Sequence, residues 1–283
     1  RGLGDVYKRQ PENGALRETI RTDISWRIDM VLTVDVGNTN IVVGVYDRDR
    51  LRFISRLASD QNRTADETAV LLEAVLSIHD INIHSIDGAI ISSVVPLITE
   101  PLATAVRLLT DRKPLIVGPG MKTGINIGID NPAQLGSDLL VDSVAAAALY
   151  PKPVIVADMG TATTLTVISE KNTILGGAIL PGVKTSLNAL TAKAAQLQQV
   201  SIEAPKRTVG SNTIDCMKSG VVFGNASMLD GMIDRFNEEL GTECFVVATG
   251  GLAEVISQYT KHQIVYNPNL LLEGLYILYQ KNI

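Results

Sequence analysis

The sequence contains few of the residues from which disulfide frameworks and metal centres are built. Its 283 residues include 2 cysteines and 3 histidines. Cys216 and Cys244 form no Cys-x-x-Cys pair, and the histidines form no His-Glu-x-x-His pattern. These absences disfavour a disulfide framework, a cysteine zinc site and a histidine-built metal centre. We therefore expect a reducing compartment, the cytoplasm.

The chain also lacks an excess of basic residues and any long apolar run. Its formal net charge of -5 argues against a nucleic-acid or anionic-membrane partner, because phosphate backbones attract basic surfaces. No stretch reaches the roughly 18 uninterrupted apolar residues that a membrane span needs. The hydrophobic fraction of 46% excludes a disordered chain. A soluble globular protein without nucleic-acid or membrane partners is predicted.

Residues 1–29 differ in pattern from the rest of the chain. They contain no apolar run that would serve as the core of a signal peptide. At Met30 the sequence changes to Met30-Val-Leu-Thr-Val-Asp35, which is typical of the first strand of a domain. We expect the fold to start at Met30, with residues 1–29 being a translation or assembly artefact or a disordered native extension.

Apolar strands alternate with helical patterns along the rest of the chain, which indicates an α/β fold. Thr64 and Glu67 form a capping-box signature at the start of one helix. The predicted strands are 31–34, 41–46, 51–57, 88–95, 114–117, 154–157, 164–169, 173–178 and 244–248. The predicted helices are 64–77, 99–109, 137–150, 183–196, 213–240, 252–258 and 270–280.

One motif occurs twice. An apolar strand leads into Asp35-Val-Gly-Asn-Thr-Asn40, and a second apolar strand leads into Asp158-Met-Gly-Thr-Ala-Thr163. The copies are about one small domain apart, so we infer two related halves, residues 30–152 and 153–283. A single Asp-x-Gly-x-Thr segment is ordinary turn chemistry, whereas two copies after apolar strands favour phosphate binding.

The residue types of the motif suit a nucleotide. Glycine lets the backbone approach a phosphate, and N–H groups with Thr or Asn side chains bind its oxygens. An aspartate at the strand end can hold a cation or its waters. Neither a Walker A sequence nor a Gly-x-Gly-x-x-Gly fingerprint is present. Two such turns facing each other across a cleft would bind a nucleoside triphosphate from both sides.

A third glycine element, Gly250-Gly251, ends an apolar strand. Small residues there would let an adenine or ribose lie against the backbone. The alternative is a strand-to-helix turn that needs a positive φ angle.

Together the motifs resemble those of the type III pantothenate kinases of the duplicated actin-like ATPase superfamily. The resemblance runs from Met30 almost to the end of the chain. The matching segments are Asp35–Asn40, Asp130–Pro132, Gly136–Asp138, Asp158–Thr163, Gly176–Gly182, Thr191–Ala192, Gly210–Thr213 and Thr249–Gly251. The resemblance implies two ribonuclease H-like, actin-like domains around a nucleotide cleft. It also implies a homodimer that phosphorylates pantothenate with ATP in the first step of coenzyme A synthesis.

The resemblance also assigns roles by position. Asp138 matches the general base, Asp35 would hold Mg²⁺, and Asp158 matches the ligand of a monovalent cation, K⁺ or NH4⁺. The ATP-binding positions are Asp35, Val36, Gly37, Asn38, Thr39, Asn40, Ile41, Val42 and Thr161, with Gly250 and Gly251 from the third glycine element. The pantothenate-binding positions are Gly136, Ser137, Asp138, Leu139, Ile129 and Thr213.

Two positions depart from the family pattern. Leu139 stands where the family commonly has an arginine that helps to hold the pantothenate carboxylate, and Ile129 stands where it commonly has a tyrosine. The replacement cation would be one of Lys122, Lys184 or Lys193. Two alternatives stay open: a regulatory ATP-binding homologue of the accessory transcription factor type, or an actin-like kinase with a different small acceptor.

Two aspartates on one predicted helix have alternative interpretations. Asp138 sits at the helix start, where an acid stabilises free N–H groups, and Ser137 would take over that capping if Asp138 is catalytic. Asp142, one turn later, is expected to be exposed and has no assigned role.

Overall fold

The computed structural model describes residues 30–283. The expectation that residues 1–29 are an artefact or a disordered extension falls on residues outside this range. Within it, no helix is both long enough and apolar enough to cross a membrane.

The first half of the chain begins with an antiparallel meander. It contains β1 (Met30–Val36), β2 (Asn40–Asp47), β3 (Arg50–Ala58), α1 (Ala65–Ile78), β4 (Gly88–Ser93), α2 (Pro96–Thr110) and β5 (Leu115–Ile116). A connecting region follows, with β6 (Asn126–Ile127) and α3 (Ser137–Leu149). Short 3₁₀ turns lie at Ile83–Ser85 and Pro132–Gln134.

The second half repeats the meander. It contains β7 (Val154–Met159), β8 (Ala162–Ile168), β9 (Thr173–Pro181), α4 (Val183–Lys193), α5 (Thr213–Leu240), β10 (Phe245–Thr249), α6 (Ala253–Ser257), β11 (Val265–Tyr266) and α7 (Leu270–Lys281). Helix α5 starts after the N-cap Asn212, whose side chain accepts the Asp215 N–H, and ends at Gly241 in the left-handed conformation, φ 66°.

The two sheets have the same strand order and the same strand directions. The first is β3-β2-β1-β4-β5, and the second is β9-β8-β7-β10-β11 with β6 added beside β9. In each sheet the first strand of the meander pairs antiparallel with the second and parallel with the strand that follows the meander. The predicted duplicated α/β fold is confirmed.

The predicted capping box on α1 is confirmed. The Thr64 hydroxyl accepts the Glu67 N–H at 3.3 Å, and the Glu67 carboxylate accepts the Thr64 N–H at 2.8 Å. Two of the free N–H groups at the start of the helix thus have partners, which fixes where the helix begins.

Helices α3 and α7 lie between the two sheets. They pack against each other, and α7 also contacts β1 and β4. Their side chains share one core with Val31 and Ile90 of the first sheet and Val156 of the second. Tyr276 of α7 stacks on Tyr46 of β2, with ring centroids 4.3 Å apart. Helix α7, although it belongs to the second half, therefore completes the core of the first sheet. Because the two halves share this core, the domain boundary at 152/153 stays a prediction.

One glycine makes this approach of α7 possible. A Cβ atom at Gly88, the first residue of β4, would collide with the Tyr279 hydroxyl of α7. Only a residue without a side chain lets the helix lie this close to the strand.

Candidate active site

The two copies of the repeated motif face each other. Asp35 lies near the end of β1 beside Ser92 of β4, and Asp158 lies near the end of β7 beside Thr249 of β10. The turns that follow them meet: the hydroxyl oxygens of Thr39 and Thr161 are 3.4 Å apart. The structure thus brings the two predicted phosphate-binding turns to one cleft.

Hydrogen bonds from within the first half hold the first turn in shape. The Gly37 N–H donates to the Asn40 carbonyl at 3.0 Å. Ser59, which follows β3, donates its hydroxyl to the Gly37 carbonyl at 2.6 Å and its N–H to the Thr39 carbonyl at 3.1 Å. The turn is therefore preorganised, with the side chains of Asn38 and Thr39 exposed.

The residues that flank the turn in the predicted ATP segment are mostly less exposed than Asn38 and Thr39. Val36 and Ile41 are buried in the core, Val42 is half-buried, and Asn40 is exposed. The side chains of Val36 and Ile41 support the turn from below, and only their backbone groups are available to a ligand.

The start of α4 supports the second turn. The Gly182 N–H donates to the Thr161 carbonyl at 3.2 Å, and the Thr185 hydroxyl donates to the same carbonyl at 2.8 Å. Because the carbonyl is engaged on the helix side, the Thr161 side chain is left exposed at the cleft.

Helix α3 brings Asp138 to the cleft. Gly136 is the residue before the helix and makes no side-chain cap. The Ser137 hydroxyl donates to the Ser93 carbonyl at 3.0 Å and lies 3.1 Å from the Ser92 hydroxyl, so it ties α3 to the end of β4 instead of capping the helix. Asp138 is half-buried in the first turn, and one of its oxygens accepts the Leu139 N–H at 2.8 Å. Its position thus combines helix stabilisation with access to the cleft.

Two strand-end carboxyl groups near Asp138 hold protons unusually tightly. The pKa of Asp35 is raised from 3.8 to about 7. Burial is the largest cause and the charges of Asp138 and Asp158 add to it, while a hydrogen bond from Ser92 acts in the opposite direction. Burial and the charge of Asp138 raise the pKa of Asp158 from 3.8 to about 6. Ser92 is a site residue that the sequence analysis missed; its signal is a serine at the end of an apolar strand.

Asp142 is buried, so the expectation that it is exposed was wrong. Only 1% of its surface is accessible. It lies one helical turn after Asp138 on α3, which is enclosed between the two sheets. Burial, followed by the charges of Asp158, Asp35 and Asp138, raises its pKa well above 3.8. Asp142 therefore forms one acidic group with Asp35, Asp138 and Asp158.

The third glycine element lies against the second turn. Gly250 has φ 93°, and a Cβ atom there would be 2.7 Å from a carboxylate oxygen of Asp158 and 2.7 Å from the Met159 carbonyl carbon. The strand-to-helix turn with positive φ is thus present, and it stands beside Asp158 at the cleft. Gly251 is exposed, with no atom near its missing Cβ.

The predicted pantothenate-binding residues fall into two groups. Gly136, Ser137 and Leu139 accompany Asp138 at the start of α3, and Ile129 packs half-buried against the core around α3 and α7. Thr213, the first residue of α5, is exposed and instead lines an apolar cavity of about 500 Å³ between α4 and α5.

None of the three lysines proposed to replace the family's arginine lines that cavity, and neither does any other basic side chain of residues 30–283. Lys184 and Lys193 are exposed on α4. The Lys122 N–H donates to the Asn282 side chain at 2.9 Å, beyond the end of α7.

The acidic group suits a cation bound through water. Both carboxylate oxygens of Asp142 are buried, and no group of the described chain forms a hydrogen bond with them. Within residues 30–283, no three His, Cys, Asp or Glu side chains converge closely enough to hold a metal ion directly. Mg²⁺ usually keeps several waters and binds one or two carboxylates together with substrate phosphates, so the two observations agree.

Comparison with known proteins gives the family. Residues 31–235 match the family model described as type III pantothenate kinase. The chain belongs to the type III pantothenate kinase family. Over 253 residues it is 43% identical to a type III pantothenate kinase of Exiguobacterium sibiricum and 42% identical to one of Moorella thermoacetica. Each alignment covers 89% of this chain and 100% of the relative.

Solved structures with low sequence identity share the fold of this pantothenate kinase family member. MreB 5 of Spiroplasma citri, bound to AMPPNP, is 12% identical with a TM-score of 0.51, over 89% of this chain and 96% of that one. Component A of (R)-2-hydroxyglutaryl-CoA dehydratase from Acidaminococcus fermentans is 16% identical with a TM-score of 0.50, over 88% and 96%. These likenesses show the actin-like ATPase fold.

Proposed function

We propose that the protein phosphorylates pantothenate at its terminal hydroxyl with ATP, giving 4'-phosphopantothenate in the first step of coenzyme A synthesis. One observation carries the proposal: the two turns meet at Thr39 and Thr161 beside the acidic group that contains Asp138. The names of the most similar relatives agree with it.

The nucleotide phosphates bind between the two turns. The first turn offers the backbone of residues 35–42 and the exposed side chains of Asn38 and Thr39, and the second offers Thr161. Because the hydrogen bonds of Ser59 and Thr185 already fix the turns, little ordering is needed when ATP binds. Gly250 lets the backbone lie close against Asp158, and Gly251, whose missing Cβ has open space around it among the described residues, leaves room for the adenosine end.

Asp138 acts as the general base. The substrate hydroxyl oxygen attacks the γ-phosphorus, the bond between that phosphorus and the β,γ-bridging oxygen breaks, and ADP leaves. The hydroxyl proton passes to the Asp138 carboxylate. The Leu139 N–H holds one oxygen of this carboxylate in place.

Asp35 would hold Mg²⁺, and Asp158 would hold a monovalent cation, K⁺ or NH4⁺. Both lie at strand ends in the acidic group, whose mutual repulsion a cation relieves. A bound cation neutralises charge on the phosphate oxygens during transfer.

Gly136, Ser137, Ile129, Leu139 and Thr213 form the pantothenate site. The working form is a homodimer, supported by large apolar side chains exposed in the second half, namely Ile179, Leu190 and Ile214. It acts in the cytoplasm, where the unpaired Cys216 and Cys244 stay reduced.

An acceptor screen tests the proposal. ADP release is measured with ATP, Mg²⁺ and K⁺ in the presence of pantothenate, of sugars and of other small hydroxy acids. We expect release that depends on pantothenate. Folded protein that binds ATP but shows no pantothenate-dependent release would contradict the proposal, and turnover with another acceptor would redirect it.

A further inference from the structure

Asp142 is a buried carboxyl group without a partner among residues 30–283. Its accessible surface is 1%, and neither carboxylate oxygen accepts a hydrogen bond from this part of the chain. Another buried acid shows the usual arrangement: Asp230 accepts the Lys261 N–H at 2.9 Å and the His262 N–H at 3.1 Å. The carboxylate of Asp230 therefore fixes a loop, whereas that of Asp142 fixes nothing within residues 30–283.

The charged groups that act on Asp142 are all acidic. They are Asp158 of β7, Asp35 of β1 and Asp138 of its own helix. No cationic side chain of the described residues is among them. Asp138 precedes Asp142 by four positions, which places both on the same face of α3. Asp142 thus lies buried on the face of α3 that carries Asp138, close enough to the two strand-end aspartates to interact with their charges.

A buried carboxyl group of this kind is energetically unfavourable unless it gains a hydrogen-bond donor or a positive charge. Burying a polar group without a hydrogen bond costs free energy, and a buried acid beside three others adds repulsion. A neutral asparagine or an apolar residue would fill the same space without that cost. A cation with its bound waters would supply both the opposite charge and the hydrogen-bond donors that Asp142 lacks within the described residues.

We propose that Asp142 is a positioning residue for the cation of the cleft, which it holds through the water molecules bound to that cation. Because no three His, Cys, Asp or Glu side chains of residues 30–283 are placed to hold a metal ion directly, we expect the contact to be through water. The inference rests on the cation part of the proposed function and names a residue that the family resemblance did not assign.

Cation binding to the full chain, without ATP or pantothenate, tests the inference. Thermal unfolding is followed while MgCl₂, KCl or NH4Cl replaces tetramethylammonium chloride at constant ionic strength, and the rise in Tm gives an apparent Kd. In the unaltered protein we expect Tm to rise. In Asp142→Asn we expect the apparent Kd for at least one cation to increase about tenfold, as for other residues that orient metal ligands.

The control separates cation binding from loss of a buried acid. Asp230→Asn should lower Tm because backbone N–H groups lose a charged acceptor, yet keep the unaltered apparent Kd values. If Asp142→Asn does not fold, Asp142→Ser serves as the second neutral variant.

Each outcome is decisive. Weaker Mg²⁺ binding alone assigns Asp142 to the divalent ion, and weaker K⁺ or NH4⁺ binding alone assigns it to the monovalent ion. Unaltered Kd values for all three ions in both Asp142 variants would overturn the inference. No cation-dependent Tm in the unaltered protein would overturn it together with the cation part of the proposed function, while pantothenate-dependent ADP release would still support the kinase.

Discussion

The hydroxyl oxygens of Thr39 and Thr161 lie 3.4 Å apart, although the residues are 122 positions apart in the chain. Each is the exposed side chain of a turn that its own half of the protein holds in shape. The contact joins equivalent parts of the two repeats and marks where a phosphate group would meet donors from both sides.

Replacing these threonines should weaken nucleotide binding without weakening the fold. Hydrogen bonds to a charged phosphate contribute about 1.5–3 kcal/mol, so Thr39→Val and Thr161→Val should each raise the Kd of an ATP analogue about tenfold or more. Their free energies of unfolding should change by about 0.5 kcal/mol or less, because both side chains are exposed. Calorimetric titration and urea unfolding provide the two measurements. Unchanged affinity in both variants would remove these residues from the phosphate site.

Asp138→Asn should stop phosphoryl transfer while leaving ATP binding nearly unchanged. An amide cannot accept the substrate proton, and general-base catalysis contributes roughly 10²–10⁴-fold to kcat. Coupled ADP release gives kcat, and titration with an ATP analogue gives Kd. Asp66→Asn is the matched control, since Asp66 is an exposed acid in the first turn of α1. Equal losses of kcat in the two variants would mean that losing any acid at a helix start lowers kcat, which would contradict a role of Asp138 as general base.

Leu139→Arg should improve the use of pantothenate. Leu139 is half-buried beside Asp138. The family resemblance implies that an arginine at this position would pair with the substrate carboxylate. One charged hydrogen bond is enough to lower KM for pantothenate about tenfold. Leu139→Met keeps the size of the side chain without the charge and should leave KM unchanged. A KM that stays the same in Leu139→Arg would mean that another group holds the carboxylate.

The cation-free protein should lose stability as the pH rises through neutrality. The fold raises the pKa of Asp35 from 3.8 to about 7, so the native state keeps a proton that the unfolded chain releases. The stability from Asp35 is fully present below pH 3.8 and is lost as the pH rises towards about 7; Asp158, with a pKa of about 6, acts in the same direction.

Urea unfolding between pH 5 and pH 8 in EDTA measures this loss. Asp35→Asn should flatten the dependence, because the amide does not titrate and no longer repels Asp138 and Asp158. Mg²⁺ at high pH should restore stability to the unaltered protein. An equally steep pH dependence in Asp35→Asn would show that other groups cause it.

Two adjacent glycines should respond differently to alanine. Gly250 has φ 93°, and an added Cβ would stand 2.7 Å from Asp158, so Gly250→Ala should lower the free energy of unfolding by about 1–3 kcal/mol. Gly251 has open space around its missing Cβ, so Gly251→Ala should change it by about 0.5 kcal/mol or less. Denaturant unfolding compares the two. Equal losses would mean that the backbone at Gly250 relaxes.

Elements with a strong local pattern could be predicted from the sequence. Helix α5 is found at the predicted residues Thr213–Leu240, between an asparagine cap and a left-handed glycine. Helix α2 begins at Pro96, three residues before the prediction, because proline suits the first turn of a helix as well as the end of a strand. Strands β6 and β11 were missed, since each has only two residues, too few for a pattern; β6 forms by pairing with β9 and β11 by pairing with β10.

The site could be predicted where residue type alone decides the chemistry, as in the two phosphate-binding turns. It could not be predicted on α3, where every residue from Leu140 to Ala146 is buried. A helix enclosed on all sides has no polar face to show its orientation, so the sequence gives no sign that Asp142 points inward. For the same reason the hydrogen bond from the Ser137 hydroxyl to the Ser93 carbonyl of β4 could not be predicted.

The position of α7 has a consequence for protein synthesis. The first sheet is synthesised well before α7, but part of the face of β1 and β4, where Tyr279 lies against Gly88, is covered by that helix. A nascent chain therefore carries a partly uncovered apolar surface until α7 has been synthesised, and surfaces of this kind attract chaperones and promote aggregation. The core of the first sheet is therefore complete only after a helix of the second half, α7, has been synthesised.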